Sequence, residues 1–283
     1  IIMHEIAEVE DDPWTTADEL LRKSLFKTHP IRRPVLGLRK TVSKITLPMI
    51  EEAYRSNFTT DNIILVLTGN FSEKNIETVS QQFCNMPYQQ KRSDRKNYCE
   101  KKCYCKDITK EKTGITQAYL SIGAKTVSTK HPDTPAIDVI DTILGAGASS
   151  RLFIEMREKR ALAYSIESGH EYGSDYGYFH INCSISPKRV EQTKKIVCKE
   201  IAKLLNEKIP VQEIDKAKDM ITGSILRTID SPADFPETIA NMEIQYENQN
   251  ALQEYITKIK NLTDEDIIQA ANRHLTENKL TSA

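Results

Sequence analysis

The residues best suited to chemistry lie in Leu144–Tyr164, the run L-G-A-G-A-S-S-R-L-F-I-E-M-R-E-K-R-A-L-A-Y. Arg157 and Tyr164 stand seven residues apart across a helix-to-strand junction. A guanidinium and a phenol placed in that way could face one oxygen of a bound substrate and stabilise charge that develops on it. Other candidates are weaker. His4-Glu5-x-x-Glu8 has the opening of a zinc-binding H-E-x-x-H helix, but Glu8 replaces the second imidazole. Glu5 is then one acid among several on a helix. Cys99-x3-Cys103-x-Cys105 lacks the paired spacing of a zinc site and has no fourth ligand nearby, while Cys103 and Cys105 alternate with Tyr104 as on one strand face. His29, His131, His170 and His180 are scattered and read as surface or structural side chains. No G-x-S-x-G, G-x4-G-K-[ST] or G-x-G-x-x-G is present. Gly145-Ala146-Gly147 precedes a helix but lacks the third glycine of a phosphate cradle.

Composition narrows the partners. The 283 residues carry a formal net charge of −1 with both signs interspersed, so no nucleic-acid partner is expected. The basic run Lys91–Lys102 is local and reads as a solvated linker. No apolar run approaches the roughly 18–20 residues of a membrane helix, so no membrane partner is expected. Six cysteines in a chain of this length do not form a disulfide framework, and reduced thiols in a cytoplasmic setting are the simpler reading.

The elements that must position Arg157 and Tyr164 follow from periodicity. Ile2, Ile6 and Val9 give a first helix over residues 1–12, and Thr16 is expected to cap a second with Leu20, Leu21, Leu25 and Phe26 on one face. Thr46 opens a third, the apolar run Ile63–Gly69 reads as a buried strand, and Ser72 caps a helix reaching Phe83. Pro87–Thr113 breaks the pattern, with a strand expected around Tyr98–Ile108. A strand over Ile115–Ile122 then leads to a helix capped by Thr134 and ended by Gly145, and Ser149 reopens a helix through Lys159. Tyr164–Tyr172 and Tyr178–Ile185 form a hairpin, the second strand with one buried and one polar face. Helices follow after Ser186-Pro187 and near 211–229, 234–246, 250–259 and 263–275, the last with a Thr263–Asp266 capping box, before a final strand at Lys279–Thr281. The expected class is α+β, with mostly antiparallel sheet covered on one face by helices.

Taken together these segments resemble the insulinase (pitrilysin) family of zinc metallopeptidases, in its smaller two-domain bacterial form and in mitochondrial processing peptidase. The resemblance rests on four stretches in order: I-I-M-H-E-I-A-E-V-E-D-D-P, P-V-L-G-L-R-K-T-V-S-K-I-T, T-D-N-I-I-L-V-L-T-G-N-F, and L-G-A-G-A-S-S-R-L-F-I-E-M-R-E-K-R-A-L-A-Y-S-I. It implies two related helix-covered domains: residues 1–90 as the back half of an incomplete first, 91–113 as linker, and 114–283 as the second. It also implies Zn2+ held by two histidines of H-x-x-E-H and by a later glutamate, which Glu5 matches. Arg157 and Tyr164 match the family's Arg–Tyr pair, which holds substrate or steadies the tetrahedral oxyanion. The implied activity is endopeptidase cleavage of an unfolded peptide bound as an added strand, with a non-catalytic scaffold subunit as the alternative. No H-x-x-E-H occurs in these residues. The stretch therefore reads as a fragment of a longer protein, expected to be inactive alone and to aggregate, form a homodimer or pair with a partner chain.

Overall fold

Phe179, Ile181, Cys183 and Ile185 alternate with His180, Asn182 and Ser184, a period of two that makes a strand. The computed structural model describes residues 1–86, Tyr98, Glu100, 107–248 and 250–283. In it this strand, β3 (Gly177–Ile185), lies between β1 (Ala118–Lys125) and β2 (Ala163–Tyr172), and β4 (Thr281–Ser282) flanks β1. The sheet has the order β2-β3-β1-β4 and every pairing is antiparallel. Helices α1 (Ile2–Asp11), α2 (Pro13–Leu25), α3 (Arg39–Val42), α4 (Leu47–Asn57) and α5 (Glu73–Cys84) precede it. Within and after it come α6 (Thr134–Gly145), α7 (Arg151–Phe153), α8 (Val190–Asn206), α9 (Val211–Asp230), α10 (Phe235–Tyr246), α11 (Ala251–Asn261) and α12 (Asp264–His274). The α+β class is as the pattern predicts. Among the described residues no helix is long and apolar enough to cross a membrane.

The apolar face forms the main core. Phe179, Ile181, Cys183 and Ile185 are fully buried, and Ile122 and Leu120 pair beside them on β1. Ile137, Ile140 and Leu144 of α6, Val197 and Ile201 of α8, and Ile267 and Ala270 of α12 pack into the same cluster. Each fully buried aliphatic side chain contributes roughly 1.5–3 kcal/mol over its exposed state.

The other face departs from expectation. It is polar, yet Asn182 and Ser184 are buried, and α2 covers part of it, so helices occupy both sides of the sheet. Ser121 Oγ donates to Asn182 Oδ1 at 2.6 Å, and the Ser165 and Ser184 hydroxyls bond at 2.8 Å. These internal bonds satisfy polar groups that α2 removes from water. Leu21 and Leu25 form a second cluster with Phe26 and Tyr178. A Cβ at Gly123 would lie 2.4 Å from Phe179 O and 3.0 Å from Leu21, so the close approach of α2 requires glycine there.

Several boundaries are corrected. The cap of α2 is Asp12, not Thr16: its carboxylate accepts from Trp14 N at 3.3 Å and Thr15 N at 2.9 Å, with Pro13 at the first turn. Thr16 instead donates back to Asp12 O at 3.0 Å. Asp133, not Thr134, precedes α6, because the Thr134 hydroxyl is engaged with Ser128 O at 2.9 Å. β1 begins at Ala118, three residues later than Ile115, where pairing with Ile185 starts. Lys279 closes a 3-10 turn, and the final strand is Thr281–Ser282. Ile63–Gly69 is not a buried strand: Ile64, Leu65 and Leu67 are 41%, 45% and 41% exposed. A strand needs a hydrogen-bonding neighbour, and none of the described residues supplies one. The strand expected around Tyr98–Ile108, the basic run and Cys99, Cys103 and Cys105 lie outside the described residues, apart from Tyr98, Glu100, Asp107 and Ile108. Ser72 capping α5 with Asn75 and Thr263 capping α12 with Asp266 are both as expected.

Asp141 sets a pH dependence. It lies behind β2, where Ser168 Oγ donates to its carbonyl at 3.0 Å and to its carboxylate. Loss of water contact pushes its carboxyl up to about 6, against the lowering effect of the Ser168 bond. A group that holds its proton more tightly when folded stabilises the fold fully below its ordinary value of 3.8, and that contribution is lost as pH rises through about 6. Asp141→Asn should therefore match the parent near pH 4 and exceed its stability at pH 7 by roughly 1–3 kcal/mol in urea unfolding. An identical difference at the two pH values would disprove this account.

Candidate functional site

Arg157 and Tyr164 sit on a short segment with three departures from regular backbone. Beyond α7 the helix widens into a π turn over Ile154–Glu158, closed by Lys159 N donating to Ile154 O at 2.9 Å. The expected continuous helix from Ser149 to Lys159 is thus a three-residue α turn followed by a π turn. Ala161 then takes a left-handed φ of 48°. Finally the β2–β3 register slips between Ala163 and Ser165, leaving Tyr164 as the extra residue of a β-bulge. π turns and bulges concentrate where a side chain must be aimed out of a regular element.

The segment is nonetheless firmly held. Leu152 and Met156 are fully buried in the core. Leu162 N donates to Met156 O at 2.7 Å and Ala161 N to Arg157 O at 3.2 Å, so the turn joining the two candidates closes on itself. Arg151 makes a two-pronged contact to α9, with Nε 2.8 Å from Glu213 Oε1 and Nη2 2.6 Å from Glu213 Oε2. Gly145 ends α6 against β2, where a Cβ would meet Ser168 Oγ at 2.2 Å, and Gly147 turns the chain with a φ of +83°.

Glu155 decides which cation is available. Lys159 Nζ donates to its Oε1 at 2.6 Å, and Arg160 Nη1 to its Oε2. Those bonds, from Lys159 first and Arg160 second, pull the Glu155 carboxyl down to about 2. Of the three cations in R-E-K-R, Arg157 is then the one with no hydrogen bond or ion pair to a described residue. Its guanidinium lies 5.2 Å from the Phe153 ring centroid. Tyr164 is 65% exposed and likewise makes no side-chain hydrogen bond to a described residue. β2 is an edge strand whose outer side is unpaired among the described residues. From the residue after Tyr164 on β2, Ser165, a groove of 460 Å³ opens between Trp14, Asp18, Ser165, Glu167 and Asn182. Sequence reading singles out Arg157 and Tyr164 as candidates but not Glu155, the Arg151–Glu213 anchor or the groove. Only the Glu155–Lys159 spacing of four carried a readable signal.

Glu5 lies apart, half-buried in the first turn of α1 and without a side-chain hydrogen bond to a described residue. Neighbouring His4 faces Glu8 at 3.7 Å. Among the described residues no three His, Cys, Asp or Glu side chains converge as metal ligands. Glu5 has the chemistry of one zinc ligand, but the rest of a donor set is not among the residues described, and zinc does not fit those residues by themselves. The histidines are structural where they are buried. His29 accepts from Ile31 N at 3.1 Å, and His170 bridges Asp138 at 2.7 Å and Thr126 at 2.9 Å.

Comparison with known proteins places the chain in a family. An uncharacterized zinc protease of Mycobacterium tuberculosis is 24% identical over 100% of the chain and 65% of its own length. The probable inactive metalloprotease YmfF of Bacillus subtilis is 27% identical over 95% of the chain and 62% of its length. The chain thus spans under two thirds of these relatives. A protease from Helicobacter pylori superposes with a TM-score of 0.87 at 19% identity, over 99% of the chain and 69% of the other. A chain of Complex III2 from Candida albicans does so with a TM-score of 0.85 at 15% identity, over 100% of the chain and 69% of the other. At such identities these structures show a shared fold. The family model described as the peptidase M16 inactive domain matches residues 44–221, more than half of the chain. The resemblance read from the four sequence stretches therefore holds, and the chain belongs to the M16 peptidase family through its inactive domain.

Proposed function

We propose that this chain forms the substrate-facing part of an insulinase-type zinc endopeptidase acting on unfolded peptides. The observation that carries the reading is the state of Arg157 and Tyr164. Both project from a rigidly anchored, irregular turn and neither makes a side-chain hydrogen bond or ion pair to a described residue. A scaffold has no use for an exposed cation and phenol held in that way. Their donors suit a peptide carbonyl and the oxyanion it becomes, a contact whose loss costs about 10²–10³ in kcat. The open edge of β2 offers backbone groups to an added peptide strand.

On this reading residues 1–90 are the back half of a first domain, 91–113 the linker and 114–283 the second domain. Support comes from α4 and α5, which bury no side chain, and from the unpaired run Ile63–Gly69. Such apolar surface calls for a partner chain, a second copy or further residues of the same protein. Glu5 would contribute one carboxylate to a zinc site completed by H-x-x-E-H, and zinc would there polarise the scissile carbonyl and activate water. The inactive-domain family name, the name of YmfF and the Complex III2 likeness favour the second reading, a non-catalytic partner subunit.

The two readings separate experimentally. The 283-residue chain alone should bind no stoichiometric zinc and cleave no unfolded peptide. Supplied with an H-x-x-E-H segment, from its own gene or a partner, it should take up zinc by elemental analysis, and Glu5→Gln should abolish that uptake. A zinc-free, inert assembly would leave the scaffold subunit as the surviving reading.

A second expectation concerns the anchored turn. Arg157→Ala and Tyr164→Phe should each lower kcat/KM of the zinc-loaded assembly by about 10²–10³ while leaving the unfolding free energy from urea denaturation within about 0.5 kcal/mol of the parent. Arg151→Ala should do the reverse in order of severity, destabilising by about 1–3 kcal/mol through the stranded Glu213 carboxylate. Equal loss of stability in all three variants would make Arg157 and Tyr164 structural.

A further inference from the structure

A second cavity lies at the opposite end of β2 from Tyr164, about 27 Å along the strand. It holds 630 Å³ between α6, the end of β2 and the helices α9, α10 and α11. That volume and a largely apolar lining are those of a small-molecule site. Its lining also carries Ser224, Gln245 and Arg227, but the other polar side chains direct their protons elsewhere: Thr142, Thr228 and Thr238 donate to Asp138 O at 2.9 Å, Ser224 O at 3.2 Å and Asp234 O at 3.0 Å. Tyr255 Oη donates to Asp138 Oδ2 at 2.5 Å, Tyr172 Oη reaches the same oxygen at 3.5 Å, and Tyr246 Oη reaches Thr129 O at 3.5 Å. A carboxylate and a carbonyl have no proton to give, so Tyr255 directs its hydrogen to Asp138 and presents lone pairs, and Tyr172 and Tyr246 each have an acceptor within reach of theirs. Asp138 places negative charge behind them, its Oδ1 bonded to His170 Nδ1 at 2.7 Å. Burial first, and then the Asp138 charge, push all three phenols up, so they remain neutral.

Acceptor oxygens, aromatic faces and a carboxylate behind them are together complementary to an organic cation. We infer that this cavity binds a protonated amine with an apolar body, the ammonium against the phenol oxygens of Tyr172, Tyr246 and Tyr255 and the body against Met220, Met242 and Leu252. Arg227 is the one charged side chain that lines the cavity among the described residues, and it is exposed. An anionic ligand would have to be recognised there, which makes Arg227 the discriminating control. The site is independent of zinc and of the peptidase reading, since it shares no residue with Arg157, Tyr164 or Glu5.

The test uses the 283-residue chain and isothermal titration with phenethylammonium, 2-phenylethanol and 3-phenylpropanoate. Saturable binding of the ammonium alone is expected. Tyr246→Leu, which removes one aromatic face while keeping apolar fill, should weaken it about tenfold. Leu252→Trp should block it by filling the cavity, and Arg227→Glu should leave it unchanged or tighter. A tetrapeptide with a free N-terminal Phe assigns the natural source to peptide termini if it binds more tightly than phenethylammonium, and to free amines if it binds more weakly. Preference for 3-phenylpropanoate that is lost in Arg227→Glu would overturn the proposal. So would ammonium binding indifferent to both Tyr246→Leu and Leu252→Trp in variants whose unfolding midpoints match the parent.

Discussion

The structure depends on β3 being buried on both of its faces. One face presents Phe179, Ile181, Cys183 and Ile185 to α6, α8 and α12, and the other carries Asn182 and Ser184 to the side that α2 covers. A strand enclosed in this way cannot slip, because a shift of one residue would drive polar groups into the core and the apolar set against hydroxyls. β1 and β2 inherit that fixed register from β3. The bulge at Tyr164 is therefore held in place by the pairs on either side of it, Ala163 with Ile185 and Ser165 with Ser184.

The same rigidity lets the segment before β2 depart from regular geometry without becoming loose. The π turn, the left-handed Ala161 and the bulge each carry a local conformational cost. They are offset by the burial of Leu152 and Met156 and by the Arg151–Glu213 contact. Glu155 adds selectivity by engaging Lys159 and Arg160. What remains is one cation and one phenol directed outward from a fixed corner.

Residues 45–76 contrast with this. Leu47, Met49, Ile50, Tyr54 and Phe58 are more than half exposed, and Tyr54 stacks on Phe58 at 4.6 Å with nothing described above them. Local order is good, with Ser72 capping α5 through a reciprocal bond to Asn75. Helices of this kind gain most of their stability from packing an apolar face. Helices α4 and α5 are thus as regular as those packed on the sheet but very unequal to them in burial.

Much of this could be read from the residues. Alternation in β3, the caps Ser72 and Thr263, the Gly145 stop and most helices are local signals, and the sequence alone determines them because they depend on neighbours a few positions away. The family likeness, and with it the candidacy of Arg157, Tyr164 and Glu5, was also legible as an ordered set of short stretches. Tertiary structure decided the rest. Ile63–Gly69 has the composition of a buried strand, but burial and pairing require a partner sheet that no local pattern can supply. The polar face of β3 reads as solvent-facing until α2 is brought across it, with Leu21 and Asn182 161 residues apart in the chain. The isolation of Arg157 from Lys159 and Arg160 depends on a π turn that places residue 160 beside Glu155. The phenols of Tyr172 and Tyr255 meet over Asp138, with Tyr246 lining the same cavity, only once three separate helices and the end of β2 have packed. Contacts between distant segments reflect the free energy of the whole packed arrangement, and for that reason spacing along the chain does not reveal them.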